Sequence, residues 1–322
     1  MANTGYDDRN IIGLFQALYE DRVDQSWAGK LSLYNGDSDR AEEEYGIFGG
    51  FPQMREWVGA RQLQTIGKKT FAIRNRPFES SLPVREVDLD RDKTGLLEAY
   101  IGDYAEQVPA GHWEDLLIEL INNNGVCYDG QNFFDTDHKF SASSSESQQT
   151  NEVTATQCPA LNVATATSPT AEEAARALLQ LVGYQQGFTN DRSRAVNGNA
   201  KDFLVMVKSV ELHSAILEAV SSQNLSNTVS NPLTGLRMDN VKFEVIRVPS
   251  LSFANDTSRV MVFRKDGRLK PFLRQDEKAM EYDMLDRNSD HFKLNKELVM
   301  LLDARRGAGY GIWQHAIRGT FS

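Results

Sequence analysis

Residues 94–138 read TGLLEAYIGDYAEQVPAGHWEDLLIELINNNGVCYDGQNFFDTDH, and this stretch decides the fold. Leu97, Ile101, Tyr104, Ala105 and Val108 recur at steps of three and four, and after the Pro109–Gly111 interruption Trp113, Leu116, Leu117, Leu120 and Ile121 resume the rhythm. An apolar face with that period is the mark of an amphipathic helix, and a proline inside it removes a backbone donor and kinks or breaks it. The spacing predicts a helix over 94–124, broken or kinked near Pro109. At about 1.5 Å per residue a continuous element would run on the order of 40 Å, long enough to be the spine of a domain. Asn122 to Gly125 has the chemistry of a left-handed C-cap.

Length and composition bound what such a spine can serve. A chain of 322 residues has room for two domains, or for one domain with extensions. Hydrophobic content of 40% and charged content of 25% describe an ordinary soluble protein. The net charge of −10 argues against a nucleic-acid-binding surface, which shows basic clustering. Cys127 and Cys158 are its only cysteines, so no disulfide framework is expected and a reducing compartment is. No apolar run approaches the ~18 residues that span a bilayer, and the acidic, polar MANTGYDDRN does not read as a signal peptide.

Upstream of the spine lie two segments that lack obvious partners. Ile11, Leu14, Phe15, Leu18 and Tyr19 share one face of a short amphipathic helix, which is marginal in water unless it docks on its own domain or a neighbouring subunit. A polar connection follows from Gly29 to Arg40, then a turn-rich stretch, FGGFPQMREW, ending on Trp57. From Arg61 to Asp92 the pattern turns to strands punctuated by Gly67-Lys68 and Asn75-Arg76-Pro77. This ribbon is rich in Arg61, Lys68, Lys69, Arg74, Arg76, Arg85 and Arg91 and poor in apolar residues. It reads as a long hairpin, either reaching away from the body toward a partner or lying as an edge on its own domain.

Downstream, Phe140 to Pro169 is loaded with Ser, Thr and Gln and reads as a surface loop. Thr170 with Glu173 is a capping-box signature for a helix whose inner face is Ala174, Leu178, Leu181 and Val182. Strands are expected at 202–207, 241–248 and 258–263, a helix through Leu212, Ile216, Ala219 and Val220, and apolar runs at 292–302 and 309–317. Helices and strands are intermixed with long connections, so the class is α+β.

Chemistry-bearing clusters are few. Asp129, Asp135, Asp137 and His138 together are the residue types of a divalent-metal or hydrolytic site. Their spacing matches no calcium loop and no His-x-x-x-His helix, and short Asp side chains are ordinary turn formers, so structural use outweighs catalysis. Arg305 to Gly311, RRGAGYG, lacks both the dinucleotide fingerprint and the P-loop lysine and reads as a glycine-relaxed strand edge. Cys127 has no base beside it in sequence, and Trp313 and His315 read as core or interface residues.

The order of several stretches resembles the major head subunit of Mu-like tailed phages, the Mu gpT-like family. Phe51 to Arg61 (FPQMREWVGAR), Phe71 to Glu79 (FAIRNRPFE), Cys127 to His138 (CYDGQNFFDTDH), Leu269 to Gln275 (LKPFLRQ) and Ala304 to Ala316 (ARRGAGYGIWQHA) carry the likeness. The resemblance implies the tailed-phage and herpesvirus major capsid fold. It implies an N-terminal arm over 1–42, a lead-in at 43–58 and an extended E-loop at 59–92. A peripheral domain over 93–185 would hold the spine helix at 94–124, an axial domain would occupy 186–275, and 276–322 would return to the peripheral domain. Subunit contacts are then expected from Arg61, Lys68, Lys69, Phe71, Arg74, Arg76, Phe78, Glu79 and Arg85 of the E-loop and from Ile11, Leu14, Phe15, Leu18 and Tyr19 of the arm. Trp57, Trp113, Asp129, Phe133, Phe134, Asp135, His138 and Trp313 are expected to serve structure. The implied function is a non-enzymatic capsid protein in the virion, assembled in the bacterial cytoplasm as pentamers and hexamers around double-stranded DNA. Its partners would be further copies of itself, portal and scaffold or protease factors, and a decoration protein, with no cofactor, no cross-link and no membrane. The competing expectations are a metal-dependent hydrolase built on Asp129, Asp135, Asp137 and His138, or another virion component such as a tail or baseplate protein.

Overall fold

The computed structural model describes residues 26–36, 38–61, 63, 65–91, 96–105, 107–108, 111–140, 147–225 and 230–322. In chain order its elements begin with α1 (Trp27–Leu31), β1 (Ser32–Asn35), β2 (Glu42–Phe48), β3 (Lys68–Arg74) and β4 (Arg76–Arg85). Helices α2 (Glu86–Arg91), α3 (Leu96–Ala105) and α4 (His112–Asn123) follow, then β5 (Glu152–Val153), α5 (Ala171–Gln186), β6 (Asp202–Val207) and α6 (Val210–Ser221). The remainder is α7 (Thr234–Met238), β7 (Lys242–Arg247), β8 (Arg259–Arg264), β9 (Phe272–Leu285), α8 (Asp290–Asn295), β10 (Glu297–Tyr310) and β11 (Ala316–Thr320). The expected spine holds two helices, α3 ending at Ala105 and α4 beginning at His112, and Pro109 lies outside the described residues. Asn124 after α4 takes the left-handed conformation at φ +45°, the predicted helix stop.

The chain divides into two compact units. Unit 1 takes the described residues up to Glu43 with Ile73–Leu117 and Leu273–Gly309, and unit 2 takes Glu44–Ala72, Ile118–Phe272 and Tyr310–Ser322. These divisions differ from the expected breaks at 185/186 and 275/276. Hydrogen bonding is the reason: β11 pairs with β5 on one side and β8 on the other, so the chain end belongs with residues 118–272.

Unit 1 is built on a four-stranded sheet in the order β1-β9-β10-β4. Strands β10 and β4 run antiparallel from Glu297 opposite Arg85 to Arg306 opposite Arg76. Val84, Phe292, Leu298, Met300 and Leu302 form one apolar cluster, with Leu82, Tyr104, Met280, Tyr282 and Met284 against it. A second centre surrounds buried Trp113, whose ring lies 4.3 Å from the Arg306 guanidinium and 5.0 Å from that of Arg274. Arg306 Nε sits 3.0 Å from Asp276 Oδ1, and the Tyr34 hydroxyl donates to Asp276 Oδ2 at 2.9 Å. Burial raises the Asp276 carboxyl above its ordinary pKa while Arg306 opposes the rise.

Two expectations fail in unit 1. Residues 26–35 are not a free arm or a polar connection, since α1 buries Ala28 and Leu31 completely and β1 joins the sheet. Nor do β3 and β4 form a hairpin: β3 pairs with β2, and β4 pairs with β10. The lone residue between them, Asn75, is fixed in an extended run rather than a turn. Its N–H donates to Ala41 O (2.8 Å), its Nδ2 to Ser38 Oγ (3.0 Å) and Arg40 O (2.8 Å), and its Oδ1 accepts from Gln275 Nε2 (2.8 Å). Pro77 and Pro83 are accommodated because β4 is an edge strand. The glycine-rich RRGAGYG segment ends β10: Arg305 and Arg306 lie opposite Pro77 and Arg76 of β4, and the glycines from Gly307 onward run past that pairing. Its glycines admit Ile73: a Cβ on Gly309 would stand 2.6 Å from Ile73 Cδ1, and one on Gly307 2.7 Å from Arg74 O.

Unit 2 holds a five-stranded sheet in the order β5-β11-β8-β6-β7. The β6–β7 and β5–β11 pairs are parallel, and β8 is antiparallel to both β6 and β11. Strand β6, DFLVMV, is buried from Phe203 to Val207, as its unbroken apolar run demands. Helices α5 and α6 pack together. The capping box of α5 is complete, with Thr170 and Glu173 capping each other, and Ala174, Leu178, Leu181 and Val182 face inward.

Candidate assembly surface

Strands β2 and β3 form a two-stranded sheet. Asn75 N–H to Ala41 O at one end and Gly49 N–H to Gly67 O at the other frame it as an antiparallel pair. Tyr45 of β2 stacks on Phe71 of β3 at 5.8 Å. The start of the expected lead-in at 43–58 is strand, with Glu43, Tyr45 and Ile47 alternating as its half-buried face.

The two strands are joined by residues 49–67, whose large apolar side chains face solvent. Met54 and Leu63 are fully exposed (102% and 97%), and Phe51, Trp57 and Val58 are at least 70% exposed. The loop organises itself locally: Trp57 Nε1 donates to Gly59 O at 2.7 Å, and the Arg61 guanidinium lies 4.9 Å over the Trp57 ring. Trp57, expected to serve structure, is therefore an exposed loop residue. Five large apolar side chains are thus exposed within one loop.

The residues expected to make E-loop contacts fall into two groups. Arg61, Lys68, Lys69, Phe71 and Arg74 lie on the loop and on β3, with Arg61, Lys68 and Arg74 exposed. Arg76, Phe78, Glu79 and Arg85 lie on β4 in unit 1. There the Arg76 guanidinium covers the Phe78 ring at 5.3 Å, Phe78 meets His112 edge-on at 4.3 Å, and Arg85 approaches Glu297 at 3.8 Å. Ile11, Leu14, Phe15, Leu18 and Tyr19 lie outside the described residues.

Two of the segments that carry the family likeness, CYDGQNFFDTDH and the end of ARRGAGYGIWQHA, come together in unit 2. Cys127 N–H donates to Gln131 O (2.7 Å) and Gly130 N–H to Cys127 O (3.0 Å), closing a turn in which Gly130 adopts φ +92°. The turn returns Asp129 to His138, with Oδ2 2.6 Å from Nδ1 and both side chains fully buried. His138 Nε2 lies 3.2 Å from Asn151 Oδ1. The amide of Asn151 is oriented by its own bonds, with Nδ2 donating to Phe133 O (2.8 Å) and Oδ1 accepting from Asp135 N–H (2.9 Å). With Asn151 Oδ1 fixed as an acceptor, His138 Nε2 is the donor of that pair. Phe133 and Phe134 sit beneath, edge to face at 5.0 Å, and Phe133 stacks on Tyr310 at 5.0 Å.

The metal-site constellation is not assembled. Asp135 accepts from Asn132 N–H (3.2 Å) and Thr136 N–H (2.7 Å) as a turn former, and Asp137 accepts from Gln131 Nε2 (3.3 Å). Among the described residues no group of three or more His, Cys, Asp or Glu side chains can hold a metal ion. Cys127 and Cys158 are buried free thiols, and burial pushes Cys127 well above and Cys158 up to about 11, away from thiolate reactivity. Among the described residues no helix is long and apolar enough to cross a membrane.

A family model described as "Mu-like prophage major head subunit gpT" matches residues 24–167 and 250–320, and the chain belongs to that family. It is 31% identical over 126 residues to the major capsid protein of Escherichia phage Mu, a match covering 38% of this chain and 40% of that one. The match thus spans about two-fifths of the relative's length. In structure the chain resembles the procapsid of bacteriophage JBD30 (17% identity, TM-score 0.50, 98% of this chain and 75% of that one). It also resembles the mature capsid of bacteriophage PhiM1 (12% identity, TM-score 0.55, 92% of this chain and 86% of that one). The α+β fold is that of phage major capsid proteins.

Proposed function

We propose that this chain builds the wall of a phage head, its copies closing into the pentamers and hexamers of an icosahedral shell around packaged double-stranded DNA. The observation that carries this reading is the loop of residues 49–67, which exposes large apolar side chains on a head-subunit family member. The extended loop is then residues 42–74 rather than 59–92. Unit 1 serves as the peripheral domain with α3 and α4 as a broken spine, and the five-stranded sheet of unit 2 with α5 and α6 serves as the axial domain.

Such a subunit works mechanically and needs no cofactor. A standard interface buries about 800 Å² per partner, and an extended ribbon adds area beyond the body of the subunit. Each contact is weak enough to correct, while the closed shell gains stability from multiplicity. Exposed Arg61, Lys68 and Arg74 meet carboxylates of the adjacent copy, and a net charge of −10 keeps the wall from holding the packaged polyanion. Portal, scaffold or protease, and decoration proteins are its further partners, and the virion is its destination.

The test is assembly of the Trp57→Ala/Leu63→Ala double variant with the phage's own assembly factors, followed by negative-stain microscopy and the melting curve of the unassembled subunit. Loss of closed particles at an unchanged melting temperature is expected. Wild-type particle yield from the double variant overturns the reading.

A further inference from the structure

The exposed loop is gripped at its neck by a turn distant in sequence. Gly50 N–H donates to Asp191 Oδ1 at 2.6 Å. Arg192 Nε donates to Gly50 O at 2.8 Å and its Nη2 to Thr65 O at 2.9 Å, so one guanidinium binds both legs of the loop. Just inside, Gly49 N–H donates to Gly67 O at 2.9 Å. We propose that Asp191 and Arg192 form a clamp that sets residues 51–66 in their docking geometry before a second copy of this chain arrives. The inference rests on the reading of that loop as the docking element.

The gripping turn is itself firm. Asn190 Oδ1 accepts from Arg192 N–H (3.0 Å) and Arg194 N–H (3.1 Å), and Asn190 N–H donates to Arg194 O (2.9 Å). Ser193 completes the turn in the left-handed region at φ +56°. The loop side is shaped to receive it. A Cβ on Gly49 would stand 2.7 Å from Asp191 Oδ2, and one on Gly50 2.4 Å from Asn190 Nδ2, so a side chain at either position would push the gripping groups aside.

The clamp is separate from the surface it positions. Phe51, Met54, Trp57, Val58 and Leu63 supply apolar area, while Asp191 and Arg192 hold backbone atoms at the two ends of the loop. A loop of this length with free legs would lose its conformational freedom on docking, whereas one closed at the neck has lost part of it on folding. Asp191 and Arg192 are positioning residues: they raise docking affinity without belonging to the apolar contact.

The experiment uses the full chain as Arg192→Met, Arg192→Lys, Asp191→Ala and Trp57→Ala/Leu63→Ala. It reads three quantities: subunit melting temperature, the rate of tryptic cleavage at Arg55 and Arg61 in unassembled subunit, and the critical concentration for particle formation. Loss of one charge-assisted hydrogen bond corresponds to about a tenfold change in an equilibrium. Arg192→Met is expected to speed loop cleavage and raise the critical concentration, each by about that factor, with the melting temperature little changed. Arg192→Lys, which retains charge and a donor, recovers part of both. Wild-type cleavage and assembly in Arg192→Met overturn the clamp. If Arg192→Met does not fold, Asp191→Ala decides, because it removes the acceptor oxygen that Asp191→Asn would retain; loop cleavage faster than wild type is expected, and an unchanged rate refutes the proposal. Wild-type assembly of the Trp57/Leu63 variant refutes docking by the loop, and the cleavage rates then still report whether the clamp holds it.

Discussion

The imidazole of His138 lies flat against the indole of Trp313, with ring centroids 4.1 Å apart and planes within 10° of parallel. The same imidazole is held at its two nitrogens by Asp129 and Asn151, so face and edge are both fixed. A fully buried histidine used in this way is a tie between chain segments.

Breaking that tie is expected to be costly. Removing one partner of a fully buried hydrogen-bonded pair leaves the other unsatisfied, at a cost of about 1–3 kcal/mol or more. Asp129→Asn keeps the shape of the side chain and weakens the acceptor, and His138→Leu removes the other partner. Each single change should lower urea-unfolding stability by about 1–3 kcal/mol, with the double variant losing much less than the sum. Additive losses would show that the two residues act independently.

His315 makes unfolding sensitive to acid. Burial, reinforced by the Arg264 charge, lowers its pKa from 6.5 to about 4. The unfolded chain takes up a proton near 6.5 that the folded chain refuses until about 4, so acid favours unfolding across that window. The contribution is about 3 kcal/mol, fully present above pH 6.5 and lost as the pH falls toward 4. His315→Asn removes the titration, so wild type should lose stability relative to the variant between pH 6.5 and 4. Parallel stability curves across that range would refute the assignment.

Gly309 and Ile73 pack too closely for a methyl group between them. Gly309→Ala is expected to destabilise the subunit by about 1–3 kcal/mol through overpacking. Ile73→Ala in the same chain should restore part of the loss, because it removes the atoms the new Cβ meets. Chemical denaturation of the single and double variants measures both terms. Gly307→Ala should find no such relief, since its nearest obstacle is the backbone oxygen of Arg74.

Arg74 and Arg76 flank Asn75 but lie on different strands; both are exposed, and the second also covers the Phe78 ring. Removing both charges is expected to reduce shell yield at physiological salt. Exposed ion pairs are screened within about 8 Å under those conditions, so the deficit should be largest at low ionic strength. Arg74→Ala alone should account for most of it. Light scattering against salt concentration measures this, and an equal yield at every salt concentration would remove these residues from the interface.

The parts legible in the sequence are those whose signal is local. Thr170 and Glu173 mark a helix start because both halves of the cap lie within one turn, and the apolar run of β6 needs no partner to announce its burial. Asn122–Gly125 stops α4 as its chemistry indicates. The ribbon was misread because strand pairing is not local. Lys68–Arg85 is extended throughout, and nothing within it reveals that β3 belongs to β2 and β4 to β10. Asn75-Arg76-Pro77 has turn-forming residues, yet Asn75 spends its amide on Ala41, Ser38, Arg40 and Gln275 instead. The glycines of β10 read as a relaxed strand edge, but the side chain they admit, Ile73, is far away in sequence and leaves no local signal. Of the candidate surface, the basic residues of β3 were visible, whereas the grip of Asp191 and Arg192 could be read only in retrospect from FGGF.

Strand β5 has a single lateral neighbour in its sheet, β11, and Arg318 of that neighbour lies 166 residues further along the chain from Glu152, which it binds. A ribosome adding about 5–20 residues per second takes on the order of ten to thirty seconds to cover that distance. For that interval the newborn polypeptide carries β5 without its mate, and the five-stranded sheet closes only after β11 has been made.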